Sequence, residues 1–356
     1  MSGKSDKKKP LVPRLRFPEF REAGAWEVKE LSAALAYAQP TPFIVSTEQY
    51  GTSGTPVLTA GKTFILGHTS EDFGIYERVP VIIFDDFTTE AKFVDFPFKV
   101  KSSAIKILSP RPGYSLKFVL EAIISIQFDA SQHKRHWIGE FQHLKIPFPP
   151  PKEQQKIAHC LSSLDEVIGL QAKKVQALKQ HKKGLMQQLF PAEGETTPRL
   201  RFPEFREAGA WDKQRIGDLL SLEYGAPLPE GSRLEGDIPV IGSNGVVGYH
   251  SEPLIKGPAI VIGRKGSAGQ VSWIDSPCYP IDTTFFVDLS RKDCQLRFIY
   301  LLLEHHRLQE LVREGGVPGL NRDDVYAVKA TISKHTEQQK IAHCLSSLDE
   351  VIGLES

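Results

Sequence analysis

The longest regular pattern in the chain is a stripe of apolar residues between positions 153 and 189. Apolar side chains recur in alternating steps of four and three residues, and two polar residues, Gln171 and Lys182, occupy the same stripe. This heptad spacing indicates a helix that packs against a partner helix. Prolines 149–151 precede the stripe and Pro191 follows it, which sets the ends of the helix. The predicted packing residues are Ile157, Leu161, Leu164, Ile168, Val175, Leu178 and Leu185.

The same stripe begins again near the end of the sequence. Residues 153–170 and 337–354 are identical, and both read EQQKIAHCLSSLDEVIGL. An apolar stripe alone is usually explained by core packing. A helix of ~55 Å, however, is too long to be covered by one small domain. We therefore expect the two helices to pair antiparallel. The first helix would contribute the packing residues named above, and the second would contribute Ile341, Leu345, Leu348 and Ile352.

The second helix looks truncated beside the first. Part of the first stripe is then expected to be covered by another subunit or by a second copy of the chain, or to stay exposed. The lysines on the outer face of the first helix are also explained by simple solvation.

A second duplication precedes each helix. The block PRLRFPEFREAGAW occupies residues 13–26 and recurs at 198–211, so the chain is two tandem copies of a unit of about 185 residues. The sequences between the identical blocks differ, but their strand patterns align. Short β-branched runs predict buried strands at 56–58, 80–84, 239–241 and 258–262, and helices opening at Leu116 and Leu296. We call the identical blocks the joints and the divergent sequences between them the interiors. Their contrast suggests that a common partner binds the joints, while the interiors are exchanged to give different specificities.

Composition limits the remaining classes. A chain of 356 residues accommodates two domains, and no apolar run is long enough to cross a bilayer. A net charge of +1 decides little about a nucleic-acid partner, since basic residues can be concentrated on one face. The four cysteines form no CxxC pair, which predicts neither a zinc site nor a disulfide framework and indicates a reducing, cytoplasmic setting.

Three segments carry a resemblance to a known family. The segment PFPPPKEQQKI at 147–157 resembles the joint of the specificity (S) subunits of type I restriction–modification enzymes, the HsdS family. Residues 257–267, GPAIVIGRKGS, resemble a strand-and-loop motif of their target recognition domains, and 280–284 resemble the strand that follows. The resemblance covers nearly the whole chain in the family's order. The second joint departs from it, reading ATISKHT at 330–336 where the first has its prolines.

The resemblance implies an α+β fold. It consists of two similar mixed α/β target recognition domains separated by long helices that form an antiparallel coiled coil, with pseudo-two-fold repetition. The predicted division is a basic flexible tail at 1–12, recognition domain 1 at 13–150, helix 1 at 151–190, a linker at 191–197, recognition domain 2 at 198–334 and helix 2 at 335–356.

The resemblance also implies a function. Each domain would read one half of a bipartite sequence in double-stranded DNA, and the helices would set the spacing. Two modification subunits would dock on the helices, bind S-adenosylmethionine and methylate an adenine flipped out of the duplex. Restriction subunits with ATP- and Mg²⁺-dependent translocase and nuclease activity would complete the assembly, while this chain itself would hold no cofactor.

Polar loop residues beside the predicted strands are candidates for DNA contact. Lysine and arginine supply affinity for phosphates, and base-edge hydrogen bonds supply sequence choice. The candidates in the first domain are Lys62, Thr63, His68, Lys92, His133, Lys134 and Arg135. Those in the second are Ser243, Asn244, Tyr249, His250, Arg264, Lys265, Ser267, Asn321 and Arg322. Any one of these is equally well explained as a solvated loop residue, so the clusters Lys134–Arg135 and Arg264–Lys265 carry the prediction.

Motifs of catalysis are missing from the sequence. There is no phosphate-binding loop, no convincing dinucleotide motif and no tetrapeptide of an adenine methyltransferase. Asp85–Asp86 could suggest a metal-dependent nuclease, but surface-turn or strand-end carboxylates explain them better. His305 and His306 are adjacent in a predicted helix and face different ways, so they are a poor metal clamp. The chain is therefore expected not to be an enzyme. A protein-interaction adaptor, a self-associating truncated specificity subunit and a stand-alone nuclease or methyltransferase remain the alternatives.

Overall fold

A computed structural model describes residues 11–59, 63–128, 135–290, 293–312 and 319–356. The chain divides into two compact units, 1–168 and 169–356. Both units mix strands and helices, which confirms the α+β prediction. Among the described helices, none combines the length and the apolar character that a bilayer crossing needs.

The first unit consists of short strands, two short helices and the first half of a long one. In chain order its elements are β1 (Glu27–Glu30), α1 (Leu31–Ala34), β2 (Leu35–Ala38), β3 (Thr55–Leu58), β4 (Ile65–Thr69), β5 (Val81–Asp85), β6 (Ala91–Val94), β7 (Lys99–Val100), β8 (Ile105–Pro110), α2 (Leu116–Ile124), β9 (Lys145–Phe148) and α3 (Pro151–Leu189), which continues into the second unit.

Three sheets organise this unit. A four-stranded antiparallel sheet has the order β2-β8-β5-β6, a three-stranded sheet has the order β4-β3-β7, and β1 pairs with β9. Strand β5 is buried on both faces, as its continuous apolar run predicts. Ile82 and Phe84 pack towards α1 and α2, while Val81 and Ile83 pack towards the three-stranded sheet. This central strand fixes the position of the loop that follows it.

The second unit repeats the plan. After the end of α3 its elements are β10 (Asp212–Arg215), α4 (Ile216–Leu219), β11 (Ser221–Tyr224), β12 (Ile238–Gly242), β13 (Gly245–His250), β14 (Ala259–Gly263), β15 (Val271–Ile274), β16 (Tyr279–Pro280), β17 (Thr284–Asp288), α5 (Leu296–His305), α6 (Arg322–Ala327), β18 (Lys329–Ile332) and α7 (His335–Glu355).

The two units share one sheet topology. The second has the orders β11-β17-β14-β15, β13-β12-β16 and β10-β18, which match those of the first strand for strand. Even the register shift in the β3–β4 hairpin, at Val57/Leu58, recurs in β12–β13 at Val240/Ile241. The predicted strands at 56–58, 80–84, 239–241 and 258–262 are confirmed within one residue. The scaffold is therefore kept while the sequence diverges.

The long predicted helix is confirmed as α3. It begins at Pro151, two residues before the apolar stripe, because a proline is well accommodated in the first turn of a helix. In the second unit its segment 169–189 packs antiparallel to α7. Near one end Gln171 Nε2 donates to the Glu355 carbonyl at 2.7 Å, and near the other Leu189 shares a core with Ile341.

The predicted packing residues differ in burial along α3 and α7. Val175, Leu178, Leu185, Leu348 and Ile352 are half-buried, and Ile341 and Leu345 are fully buried. In the first unit Ile157 and Leu161 are half-buried, whereas Leu164 and Ile168 are exposed.

The duplicated blocks contact each other within each unit. Arg16 forms a two-pronged ion pair with Glu153, at 2.7 Å from Nε and from Nη2, and donates from Nη1 to the Gly24 carbonyl. Arg201 repeats this with Glu337 at 2.7 Å in the second unit. Each 14-residue block therefore folds onto the start of the helix that follows it. This contact within one chain explains why the block and the start of the helix are both retained in the two copies.

Candidate nucleic-acid interface

The loop after β14 brings predicted DNA-contact residues of the second unit together. The backbone N–H of Arg264 donates to the Thr283 carbonyl at 2.9 Å, and the Leu320 N–H donates to the Arg264 carbonyl at 2.9 Å. The loop is thus held between the start of β17 and the segment that leads into α6. Arg264 and the pair Asn321–Arg322, far apart in sequence, consequently lie at one edge of the unit.

An aromatic ring links the two arginines. The guanidinium carbons of Arg264 and Arg322 each lie 5.2 Å from the centroid of the Tyr224 ring, within cation–π range. Tyr224 is the last residue of β11 and is 51% exposed. We call Arg264, Tyr224 and Arg322 the arginine–tyrosine ladder. It presents two cations beside a half-exposed aromatic ring.

The ladder is partly satisfied from within the protein. Arg264 donates from Nε and Nη2 to the Asp282 carbonyl at 3.1 and 2.7 Å, which orients its guanidinium. Arg322 Nε is buried and has no hydrogen-bond partner among the described residues. Arginine offers five N–H donors in a planar fork, so both side chains keep donors for an external acceptor.

The tip of the β12–β13 hairpin packs on the same loop. Ser267 Oγ donates to Asn244 Oδ1 at 3.4 Å, and a Cβ on Gly263 would lie 2.2 Å from the Ser267 carbonyl oxygen and 3.1 Å from Ser243 Cβ. Gly263 is therefore required for this internal approach of hairpin and loop. Predicted residues Ser243, Asn244 and Ser267 lie beside Arg264 for that reason.

The remaining candidates of the second unit have different surroundings. Lys265 is exposed on the loop, and Tyr249 is exposed on β13. Asn321 caps α6, because its Oδ1 accepts from the Asp323 N–H at 2.9 Å, and its side-chain NH₂ stays available. His250 is only 9% exposed, and its Nδ1 accepts from the Leu234 N–H, so its ring is engaged inside the protein.

Tyr224 at this edge and Arg233 in the same unit were not among the residues that the sequence analysis selected. Tyr224 ends a strand and carried no loop signal, and Arg233 donates from Nη1 to the Val247 carbonyl of β13 at 2.8 Å. Only the pairing of β11 with β17, which sets Tyr224 opposite Phe285, brings the tyrosine to Arg264. No local pattern could have indicated it.

The candidates of the first unit are less clustered. Lys62, His133 and Lys134 lie outside the described residues. Thr63 is exposed beside Phe64, and the Lys92 ammonium lies 4.7 Å from the Phe64 ring centroid. Arg135 is exposed and donates to Ser103 Oγ at 2.9 Å. Among the described residues no hydrogen bond or ion pair joins Lys92 to Arg135.

His68 and the pair Asp85–Asp86 have structural roles in the first unit. The His68 backbone exchanges hydrogen bonds with Gly51, and its side chain is half-buried on β4. Asp86 is buried, forms a 3.0 Å ion pair with Lys106 and accepts the Trp137 N–H. Asp85 Oδ1 accepts hydrogen bonds from the backbone N–H groups of Phe87 and Thr88. The strand-end interpretation of these carboxylates is confirmed, although they are buried instead of exposed.

Comparison with known proteins supplies the class. A family model described as the type I restriction modification DNA specificity domain matches residues 81–180 and again 209–356. The type I restriction enzyme EcoR124I/EcoR124II specificity subunit of Escherichia coli is 30% identical over 346 residues, which cover 88% of this chain and 84% of that subunit.

Solved structures show the same fold. The S subunit of a type I restriction–modification system from M. genitalium has a TM-score of 0.68 at 17% identity, covering 93% of this chain and 91% of that one. A chain from a structure on complex assembly and conformational transition of the type I R-M system has a TM-score of 0.50 at 14% identity, covering 90% and 91%.

Two look-alike α+β units, each followed by a copy of one heptad helix, define a duplicated recognition protein. The match over more than half of the chain makes the assignment specific: the protein belongs to the type I restriction–modification DNA specificity family. It is a specificity subunit, whose role is the recognition of a DNA sequence. The family predicted from the joint and loop motifs is confirmed.

Proposed function

We propose that each unit of this chain reads one half of a bipartite DNA target, and that the arginine–tyrosine ladder is the main contact of the second unit. The observation that carries the proposal is the meeting of Arg264, Arg322 and Asn321 with the hairpin tip at one edge. Arginine pairs with guanine and asparagine with adenine in the major groove, each through two hydrogen bonds. A fixed cluster of such donors suits base reading better than a dispersed set of solvated side chains.

The first unit is proposed to read the other half-site with different chemistry. Asp86 follows β5 as Arg264 follows β14, and Asp86 is buried, so a copy of the ladder cannot form in the first unit. Thr63, Lys92 and Arg135 are the described candidates, and Lys62, His133 and Lys134 complete the predicted set. Two units with one scaffold and different edges would give two unlike half-sites, as the divergence between the identical joints suggests.

The helices are proposed to set the spacing and to carry the partner subunits. Two modification subunits would bind S-adenosylmethionine and methylate the target adenine, and restriction subunits would use ATP and Mg²⁺ for translocation and cleavage. This chain would contribute recognition and assembly and no catalytic group, in the cytoplasm. The proposal keeps the predicted domain boundaries, which lie at 150/151, 190/191, 197/198 and 334/335.

The proposal is tested by selecting bound sequences from randomised DNA with the chain in complex with its modification subunits. Arg322→Ala should weaken binding by about 1–3 kcal/mol and relax base preference in one half-site only. Lys256→Ala is the matched control, because Lys256 is exposed in the same unit at the opposite end of β14. Equal loss of preference in both half-sites, or equal effects of Arg322→Ala and Lys256→Ala, would count against the ladder as a base reader.

A further inference from the structure

Two adjacent apolar residues lie exposed on one strand of each unit. On β13 they are Val246 and Val247, which are 55% and 44% exposed, and on β4 they are Ile65 and Leu66, which are 41% and 39% exposed. Both strands lie at an edge of their three-stranded sheet. Natural proteins usually protect such an edge with charged side chains or proline, so two successive branched apolar residues are unusual there. We call Val246–Val247 and Ile65–Leu66 the apolar pairs.

The two apolar pairs occupy the same position of the repeated scaffold. In each hairpin the register shift makes the second member of the pair, Val247 or Leu66, an extra residue between two paired positions. Such a bulge commonly re-aims a side chain beside a functional site. The interiors of the two units have diverged in sequence, yet both keep the bulge and the apolar character of the two residues that form it. A shared role explains this better than chance exposure.

The apolar pair of the second unit lies beside the arginine–tyrosine ladder. Val246 comes two residues after the turn Ser243–Asn244, and this turn packs against the loop that carries Arg264. Residues 238–249, which form most of the hairpin, include no charged side chain. The cations beside the hairpin are therefore supplied by the neighbouring loop, and the hairpin itself offers an apolar surface.

The apolar pair of the first unit also lies beside a cation. Phe64 immediately precedes Ile65, and the ammonium group of Lys92 lies 4.7 Å from the centroid of the Phe64 ring. In both units, a side chain suited to a DNA phosphate thus borders an apolar pair. Phosphate contacts position a protein on the duplex but carry no sequence information, which contacts to base edges must supply.

We propose that each apolar pair contacts the 5-methyl group of a thymine in the major groove of its own half-site. The major groove admits a two-stranded β-ribbon, and the thymine methyl is the apolar group that base edges present there. Valine, isoleucine and leucine side chains form no hydrogen bond, so this methyl group is the base feature that they can read. The inference rests on the proposed function, in which each unit reads one half-site. It adds thymine to the bases that the polar residues recognise.

Deoxyuridine in place of thymine is the probe, because it removes the methyl group and keeps every hydrogen-bonding group of the base. Sequences selected from randomised DNA supply the target. Each thymine of that target is then replaced in turn, and labelled duplexes are titrated with the chain in complex with its modification subunits. At least one replacement in each half-site should weaken binding about three- to fivefold, the size expected for one buried methyl group. A target at which no replacement weakens binding would overturn the proposal.

Variants of the apolar pairs assign each methyl contact to its unit. The double variant Val246→Ala and Val247→Ala should lose the sensitivity to deoxyuridine in one half-site and keep it in the other. The double variant Ile65→Ala and Leu66→Ala should do the reverse. All four positions are exposed, so the fold should persist. Leu254→Ala is the matched control and should keep both sensitivities, because Leu254 is exposed in the second unit beyond the far end of β13.

The ratio of the two affinities, for thymine and for deoxyuridine DNA, decides the outcome. An unchanged ratio in the Val246→Ala and Val247→Ala variant would overturn the proposal, since a sugar contact or an apolar wedge between base steps does not need the methyl group. The proposed function has a separate readout in Arg322→Ala. If this variant relaxes one half-site while the apolar-pair variants keep their ratios, only the methyl contact fails. If the ratios change but Arg322→Ala leaves base preference intact, the ladder fails and the methyl contact stands.

Discussion

Arg201 and Glu337 form a buried two-pronged ion pair that ties the second 14-residue block to the first turns of α7. Arg201 also donates to the Gly209 carbonyl within its own block. The duplicated 14-residue block and the duplicated 18-residue block are thus the two sides of one tertiary contact. Their retention in both units follows from this geometry, because a change on either side leaves a charge without its partner.

Removing one member of this pair should therefore destabilise the second unit strongly. Glu337→Ala is expected to lower the free energy of unfolding by about 3 kcal/mol, since an arginine is left buried and unpaired. Lys340 and Glu204 form a neighbouring but half-exposed pair at 3.1 Å, so Lys340→Ala should cost less than about 1 kcal/mol. Urea unfolding measures both, and similar midpoints for the two variants would contradict the assignment.

Leucine-to-alanine changes should have unequal effects at a buried position of α7 and at an exposed position of α3, although the two positions are not copies of each other. Leu345→Ala removes a fully buried side chain and should cost about 2–5 kcal/mol. Leu164→Ala alters an exposed position, and its cost should stay within about 0.5 kcal/mol. Denaturation of the isolated chain checks this difference. Equal costs would mean that Leu164 is covered in the free protein.

Tyr224 provides a test of the ladder that keeps both arginines. Tyr224→Phe retains the aromatic ring between the guanidinium groups and should leave DNA affinity nearly unchanged. Tyr224→Ala removes the ring and should weaken binding at one half-site by about 1 kcal/mol, the size of a partly desolvated cation–π contact. Titration of labelled DNA with the assembled complex measures both. A loss of affinity in Tyr224→Phe as large as that in Tyr224→Ala would point to the hydroxyl group as the contact.

His306 should make the stability of the second unit depend on pH. Burial, with a smaller contribution from neighbouring His305, lowers the pKa of His306 to about 4, whereas an unfolded histidine titrates near ~6.5. The unfolded state binds more protons between these values, so the contribution of this group is complete above pH ~6.5 and is lost as the pH falls towards 4.

The histidine variant isolates this effect. His306→Asn should flatten the fall in unfolding midpoint between pH 7 and pH 5, which are chosen to bracket the titration at about pH 6.5. His343→Asn, at an exposed position of α7, serves as the control and should keep the slope of the unaltered chain. An unchanged slope in His306→Asn would assign the pH dependence to other groups.

Much of the scaffold could be predicted because its signals are local or repeated. The heptad steps of α3 assigned even its polar positions, since Gln171 and Lys182 do turn towards α7 and bind Glu355 and Asp349. The central strand of each unit followed from a short continuous apolar run. These patterns are set by burial, which leaves its mark directly on the sequence.

The candidate site was less accessible to such reasoning. Arg264 and Arg322 were singled out as loop residues, but Tyr224 joins them only through the long-range pairing of β11 with β17. The polar residue His250 resembled a surface residue, yet it is buried, accepts a hydrogen bond from the Leu234 N–H and packs edge-on against Tyr279. Non-local pairing and the satisfaction of buried polar groups are decided by the fold and leave no pattern in the nearby residues.

The central claim is that two divergent units on one duplicated scaffold each read their own half of a bipartite DNA target. The most direct measurement is a map of methylated sites in DNA treated with the assembled complex, before and after residues 27–150 are replaced by the interior of a different family member. The account predicts that one half-site changes while the other half-site and the spacing stay the same. A single contiguous site, or a change in both halves, would contradict it.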